Sequence, residues 1–160
     1  MKIVAEAMDA LRDAIVALDS AVNALTELES EMRIYNAAQQ LPMLFPTVEY
    51  LYGASRSALA RLETVLLGSL YDALTKLKRM RLIPPYEGNI DEYVKNLGNH
   101  VGDLIPELRR ALDTSNPGAV NDVLQDLIRE ALPVLRRVME TLTSAMHDLA
   151  RKAERLSLVT

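Results

Sequence analysis

The sequence predicts an all-α protein: an antiparallel up-down-up-down four-helix bundle with three long helices and a shorter, kinked third helix. Three observations predict it. Apolar residues recur at alternating steps of four and three near both ends of the chain, the period of a helix that buries one seam along its length. Leu and Ala dominate, with one Phe and no Trp, a composition that suits helices more than sheets. Prolines gather at breaks between the periodic segments, where a missing N–H does least harm. At 160 residues the chain reads as a single helical-bundle domain over 1–160.

The first helix is expected over about 2–40. Its seam is Val4, Met8, Leu11, Ile15, Leu18, Val22, Leu25, Glu29 and Met32. The strongest stretch, Met8, Leu11, Ile15, Leu18, Val22 and Leu25, is the candidate core and oligomer seam. Ala7, Ala14 and Ala21, continued by Leu28, flank it on one side, and Ala10, Ala17 and Ala24 on the other. The stripe is therefore wide enough to touch two neighbours. It decays at Glu29, Asn36 and Gln39, so looser packing is expected toward that end. The segment Leu41-Pro42-Met43-Leu44-Phe45-Pro46 breaks the pattern and, being apolar, is expected to fold over one end of the core.

The second helix is expected over about 47–82, with the stripe Ser55, Leu59, Leu62, Leu66, Leu70, Ala73, Leu77 and Met80. Two successive steps of four, through Leu66 and Leu70, are a phase slip that locally relaxes a supercoil. Pro84-Pro85 are read as its stop. The third helix, about 90–112, opens with Asn89 and Glu92 in capping positions. It buries Ile90, Val94, Leu97, Val101, Leu104 and Leu108. Gly98 and Gly102 are expected to weaken its middle, and Pro106 to kink or break it. The fourth helix, about 117–156, starts at Asn116-Pro117. Its seam is Leu124, Ile128, Ala131, Leu135, Val138, Leu142, Ala145 and Leu149, with a bend expected near Pro133.

The net charge of −4 does not advertise a polyanionic partner. The absence of cysteine excludes disulfides and thiolate chemistry. There is no uninterrupted apolar run of membrane-spanning length. Glu6, Asp9, Arg12 and Asp13 interrupt the N-terminal segment too early for a secretory signal. A cytoplasmic protein without membrane contact is the expectation.

Chemistry-bearing patterns are few. His100 in Asn99-His100-Val101-Gly102-Asp103 shares a helix face with Asp103, but a catalytic metal site usually has three protein ligands. No di-iron Glu-x-x-His motif, nucleophile elbow or glycine-rich phosphate loop is present, and no cofactor is implied. His147 falls opposite the seam of its helix. Glu27, Glu29 and Glu31 point in different directions and read as a solvated acidic end.

One charged grouping stands out. Lys76, Lys78, Arg79 and Arg81 end the second helix; Arg151, Lys152 and Arg155 end the fourth. In an up-down bundle these seven cations share a pole. They form a candidate anion or nucleic-acid surface, with Tyr71, Tyr86 and Tyr93 near enough in sequence to stack on bases. Cations also stabilise helix C-termini, and Glu6, Asp9, Glu87, Asp91 and Glu92 reach the same pole to pair with them.

The expected function is non-catalytic: a bundle that self-associates as a homo-oligomer or docks helices of another protein. A nucleic-acid-coating or ribonucleoprotein subunit, using the basic pole or a ridge of Arg129, Arg136 and Arg137, is the alternative. A ligand- or metal-binding bundle with a site at the Gly98–Pro106 kink is the third reading.

Overall fold

The computed structural model describes residues 2–39, 45–83, 89–114 and 117–159. Among these residues there are helices and no strands. Helix α1 spans Lys2–Gln39. The second rod starts as α2, Phe45–Val65, passes through a π-helical turn at Leu66–Leu70, and ends as α3, Tyr71–Arg79. Helix α4 spans Ile90–Asp113 and α5 spans Pro117–Val159. The apolar cover expected of 41–44, the Pro84-Pro85 stop, Tyr86 and the Asn116 cap lie outside the described residues.

Specific contacts fix the directions. Glu27 of α1 meets Arg61 of α2, while residues Arg12–Ser20 of α1 share a groove with Val65–Lys76; these two rods therefore run antiparallel. Gly98 of α4 lies against Leu66 and Leu67, and Gly102 one turn on against Glu63, so α4 turns back again. Residues Ala119–Val123 of α5 fold against Glu107–Thr114 of α4, which returns α5 alongside α1. The result is the up-down-up-down arrangement that the helix order predicts. The helices are packed so that α1 is flanked by α5 on one side and by the second rod on the other.

The buried face of α1 is rotated from the expected seam. Leu11, Leu18 and Leu25 are fully buried, and so are Ala14 and Ala21. Ala10 and Ala24, on the far side, are 1% exposed. Met8 and Ile15 are only half-buried. The helical geometry explains the shift: columns three and six residues after Leu11 lie on the same side of it, and the Met8–Ile15–Val22 column lies on the other. The alanine column thus sits at the centre of the buried arc, and the Met8–Ile15 column at its margin. The expected loosening toward the end of α1 begins only after Met32: Leu28 and Met32 are buried, whereas Ile34 is 47% exposed and Arg33 and Ala37 are exposed; at the start, Val4 and Met8 are only half-buried.

The phase slip in the second rod is resolved by a wider turn. Two steps of four carry one residue more than a heptad needs. The π turn at Leu66–Leu70 absorbs that residue, so Leu70, Leu74 and Leu77 stay on the buried side shared by Leu59, Leu62 and Leu66. A regular α-helix through the same residues would turn the last segment by about 100° per extra residue.

The rod ends earlier than the expected Leu82, at a stop the proline pair did not reveal. Arg81 adopts φ 58°, in the left-handed region. Its amide donates to the Lys78 carbonyl at 3.1 Å, and the Leu82 amide donates to the Leu77 carbonyl at 3.0 Å. This is the paired bonding of a Schellman motif, with half-buried Leu82 packing back on the core as the motif requires.

Neither proline breaks its helix. Pro106 lies inside α4 and Pro133 inside α5. Both are exposed, so the carbonyl each leaves without an amide partner faces water.

Gly98 and Gly102 do more than lower helix propensity. A Cβ on Gly98 would stand 2.6 Å from Leu67 Cδ2 and 3.2 Å from Leu66 Cβ. The glycine is what lets α4 approach the π turn. A Cβ on Gly102 would meet only the end of the Glu63 side chain, its Oε1 at 2.8 Å, which can swing into solvent. Opposite signs are expected for one chemical change. Gly102→Ala raises stability by up to about 1 kcal/mol through helix propensity. Gly98→Ala lowers it by about 1 kcal/mol net, because Leu66 Cβ cannot move without its backbone. Denaturant midpoints of the two variants check this.

Candidate functional site

The antiparallel order brings the start of α1, the end of α3, the start of α4 and the end of α5 to one pole. All seven predicted cations are there and all are exposed: Lys76, Lys78, Arg79 and Arg81 from the second rod, Arg151, Lys152 and Arg155 from α5. Tertiary structure makes one of them a structural partner. Lys78 Nζ lies 3.2 Å from Asp91 Oδ1, and Asp91 is 7% exposed in the first turn of α4. The carboxylate gains both this ammonium and the positive end of the α4 dipole. Among the described residues, the other six cations make no ion pair.

Carboxylates nevertheless surround them. Glu6, Asp9, Asp72, Glu92, Asp148 and Glu154 lie at the same pole and are exposed. Lys2 and Arg12 of α1 lie among them, and Arg12 is 3.7 Å from Asp9, so the pole carries charges of both signs.

Two of the three tyrosines expected to stack on bases, Tyr71 and Tyr93, are partly buried. Tyr71 packs on the core and faces Lys95, whose Nζ is 5.8 Å from the ring centroid, a distance that permits a cation–π contact. Tyr93 is half-buried; burial, and after it the negative charge of Glu130, raises its phenol above the usual tyrosine value. The arginine ridge on α5 is interrupted by pairing, with Arg129 held by Asp126 at 2.9 Å.

The Gly98–Pro106 segment gathers no site. His100, Asn99 and Asp103 are exposed on α4, and Gly98 serves its packing on the second rod. Among the described residues no three potential ligands come together to hold a metal ion. His147 is exposed.

The acidic end of α1 is more structured than its sequence suggests. Glu27 bonds Arg61 at 2.6 Å across the α1–α2 interface, and Glu29 bonds Arg33 at 2.7 Å within α1. Glu31 Oε2, Tyr52 Oη and Asn121 Oδ1 are buried without a hydrogen-bond partner, a feature no spacing rule reveals because each lies on a different helix. No helix among the described residues is long and apolar enough to cross a membrane.

The pole also shows where the bundle is unfinished. Helix α5 begins level with the end of α4 but has 43 residues against 24, so it runs roughly 28 Å further. There it is accompanied mainly by the start of α1. Val4, Met8, Ala145, Met146 and Leu149 are half-buried along this overhang, whereas Leu135, Val138 and Leu142 of the same α5 seam are at most 2% exposed.

Compared with family models, curated proteins and solved structures, the chain has no match.

Two outcomes are expected at the pole. Lys78→Met leaves Asp91 without its cation. Because Lys78 is substantially exposed, a double-mutant cycle with Asp91→Asn should give a coupling of about 1 kcal/mol or less, weakening with salt. Arg81→Gly removes a side chain from a left-handed position and should raise stability by about 1 kcal/mol. Urea unfolding at low and high salt measures both.

Proposed function

We infer that this chain acts as an assembly unit, associating with copies of itself or with helices of another protein, and that its chemistry is that of surfaces. The observation that carries this reading is the overhang of α1 and α5. A helix pair cannot cover its apolar stripe alone, and partly covered apolar surface at the end of a bundle is the usual mark of an interface. Met8 and Met146 are among the half-buried residues of the overhang, and Met adapts to irregular partner surfaces. Charges of both signs at the pole suit protein contact, in which complementary charges set register.

A second reading keeps one observation of its own. Six exposed cations at the pole make no ion pair among the described residues, and their side chains are available to phosphate oxygens. Under this reading the chain coats or lines a nucleic acid, and binding falls steeply with salt.

Light scattering on the purified chain, with the absorbance ratio of the same peak, separates the two. The assembly reading expects a mass above the 17.8 kDa monomer that returns to monomer in Met146→Asp. A monomer carrying nucleic acid that strips off in salt supports the second reading. A monomer at every concentration, free of nucleic acid, overturns the first.

A further inference from the structure

The end of the bundle opposite the charged pole brings together the last turns of α1 and α4 and the first turns of α2 and α5. Three side-chain atoms are buried there without a hydrogen-bond partner: Glu31 Oε2, Tyr52 Oη and Asn121 Oδ1. Each residue lies within roughly 12 Å of its helix end along the axis. Among the described residues no other buried side-chain nitrogen or oxygen lacks a partner. Burial takes from each atom its hydrogen bonds to water, and the closed fold returns none of them. One event relieves all three, namely separation of these helix ends while the rest of the bundle stays folded.

We propose that this end opens as a cooperative unit of its own, a conformational device built into the fold. Its inner boundary is the Glu27–Arg61 pair at 2.6 Å, which ties α1 to α2 one turn inside Glu31. Inward of that pair Leu25, Leu62 and Leu66 are fully buried and hold the middle closed. Outward of it Ile34 is already 47% exposed. Leu28, Met32, Val120 and Leu124 are buried in the closed end, and their burial sets how rarely it opens. Each unpartnered atom works against them, raising the open population by about tenfold.

Cooperativity follows from the placement. The three atoms belong to three helices, so fraying of any one helix relieves one atom and strips apolar contacts from its neighbours. The charged pole differs in kind. There Lys78 satisfies the buried Asp91, and the turn at Arg81 satisfies the carbonyls of Leu77 and Lys78, so opening that pole breaks bonds. Opening the far end relieves atoms, and it uncovers Leu28, Met32, Val120 and Leu124, which the closed bundle hides. This inference is independent of association through the apolar overhang.

Native-state hydrogen exchange on the full chain tests the proposal. The amides of 28–32, 52–55 and 120–124 should share one opening equilibrium and exchange at least about a hundredfold faster than those of Leu18, Leu62 and Leu135, after correction for intrinsic rates. Tyr52→Phe removes the unpartnered hydroxyl and keeps the ring. It should slow exchange by about tenfold in all three segments, on α1 and α5 as well as on α2. Asn121→Leu, on a different helix, should repeat the pattern. A slowing confined to 52–55 in Tyr52→Phe, or to 120–124 in Asn121→Leu, overturns the proposal, because the helix ends would then fray separately. Exchange in the three segments as slow as at the centre overturns it too. So does exchange that Tyr52→Phe leaves unchanged or makes faster, because the hydroxyl would then be held by a partner in the closed end.

Discussion

The rest of the bundle is arranged around the two alanine columns of α1. Ala7, Ala14 and Ala21, and next to them Ala10, Ala17 and Ala24, are at most 5% exposed, with Leu11, Leu18 and Leu25 along one edge of the same buried arc. Small side chains let helix axes come closer than a leucine layer permits, within the usual range of 8–10 Å. They also supply little apolar area themselves. The larger residues must therefore come from outside α1. The second rod provides Leu59, Leu62, Leu66, Leu70, Leu74 and Leu77, and α5 provides Leu135, Val138 and Leu142. Helix α1 acts as a narrow spine into which two leucine-rich helices close from either side.

A spine of this kind makes phase demanding. The second rod must keep its leucines facing α1 for its whole length, and its sequence holds one residue too many to do so as a regular helix. The π turn at Leu66–Leu70 restores the phase, and its bulk is received by α4 at Gly98. Two features that look like local weaknesses, a misplaced residue in one helix and a glycine in another, are thus complementary parts of one contact. The third helix is placed by this contact and by the Lys78–Asp91 pair at its start. It is kept close to the second rod and packs less extensively on α5.

The half-covered overhang follows from the same placement. Because α4 is short and begins level with the end of the second rod, the last turns of α5 and the first of α1 extend together beyond it. Apolar residues that would be core in a closed bundle remain half-covered there. Charged residues of both signs come from four helix ends to the same pole. The half-covered overhang is the observation on which the assembly reading rests. Among the described residues no three potential ligands come together to hold a metal ion.

The sequence by itself determined the helices, their order and most of the core, because heptad spacing and proline position report local geometry directly. Leu11, Leu18, Leu25, Leu59, Leu135 and Leu142 are legible in this way. It also located the seven cations at one pole, since antiparallel order follows from short connections. Only the tertiary structure decided which column of α1 is central, for two flanks of alanine look alike until neighbours choose between them. The same holds for Gly98, which reads as a defect until Leu67 is brought against it, and for Lys78, which reads as one of seven cations until Asp91 arrives from another helix. The left-handed stop at Arg81 and the unpartnered atoms of Glu31, Tyr52 and Asn121 were equally hidden. Periodicity specifies which face of a helix is apolar; how far that face is covered depends on the length, phase and side-chain bulk of the helices beside it.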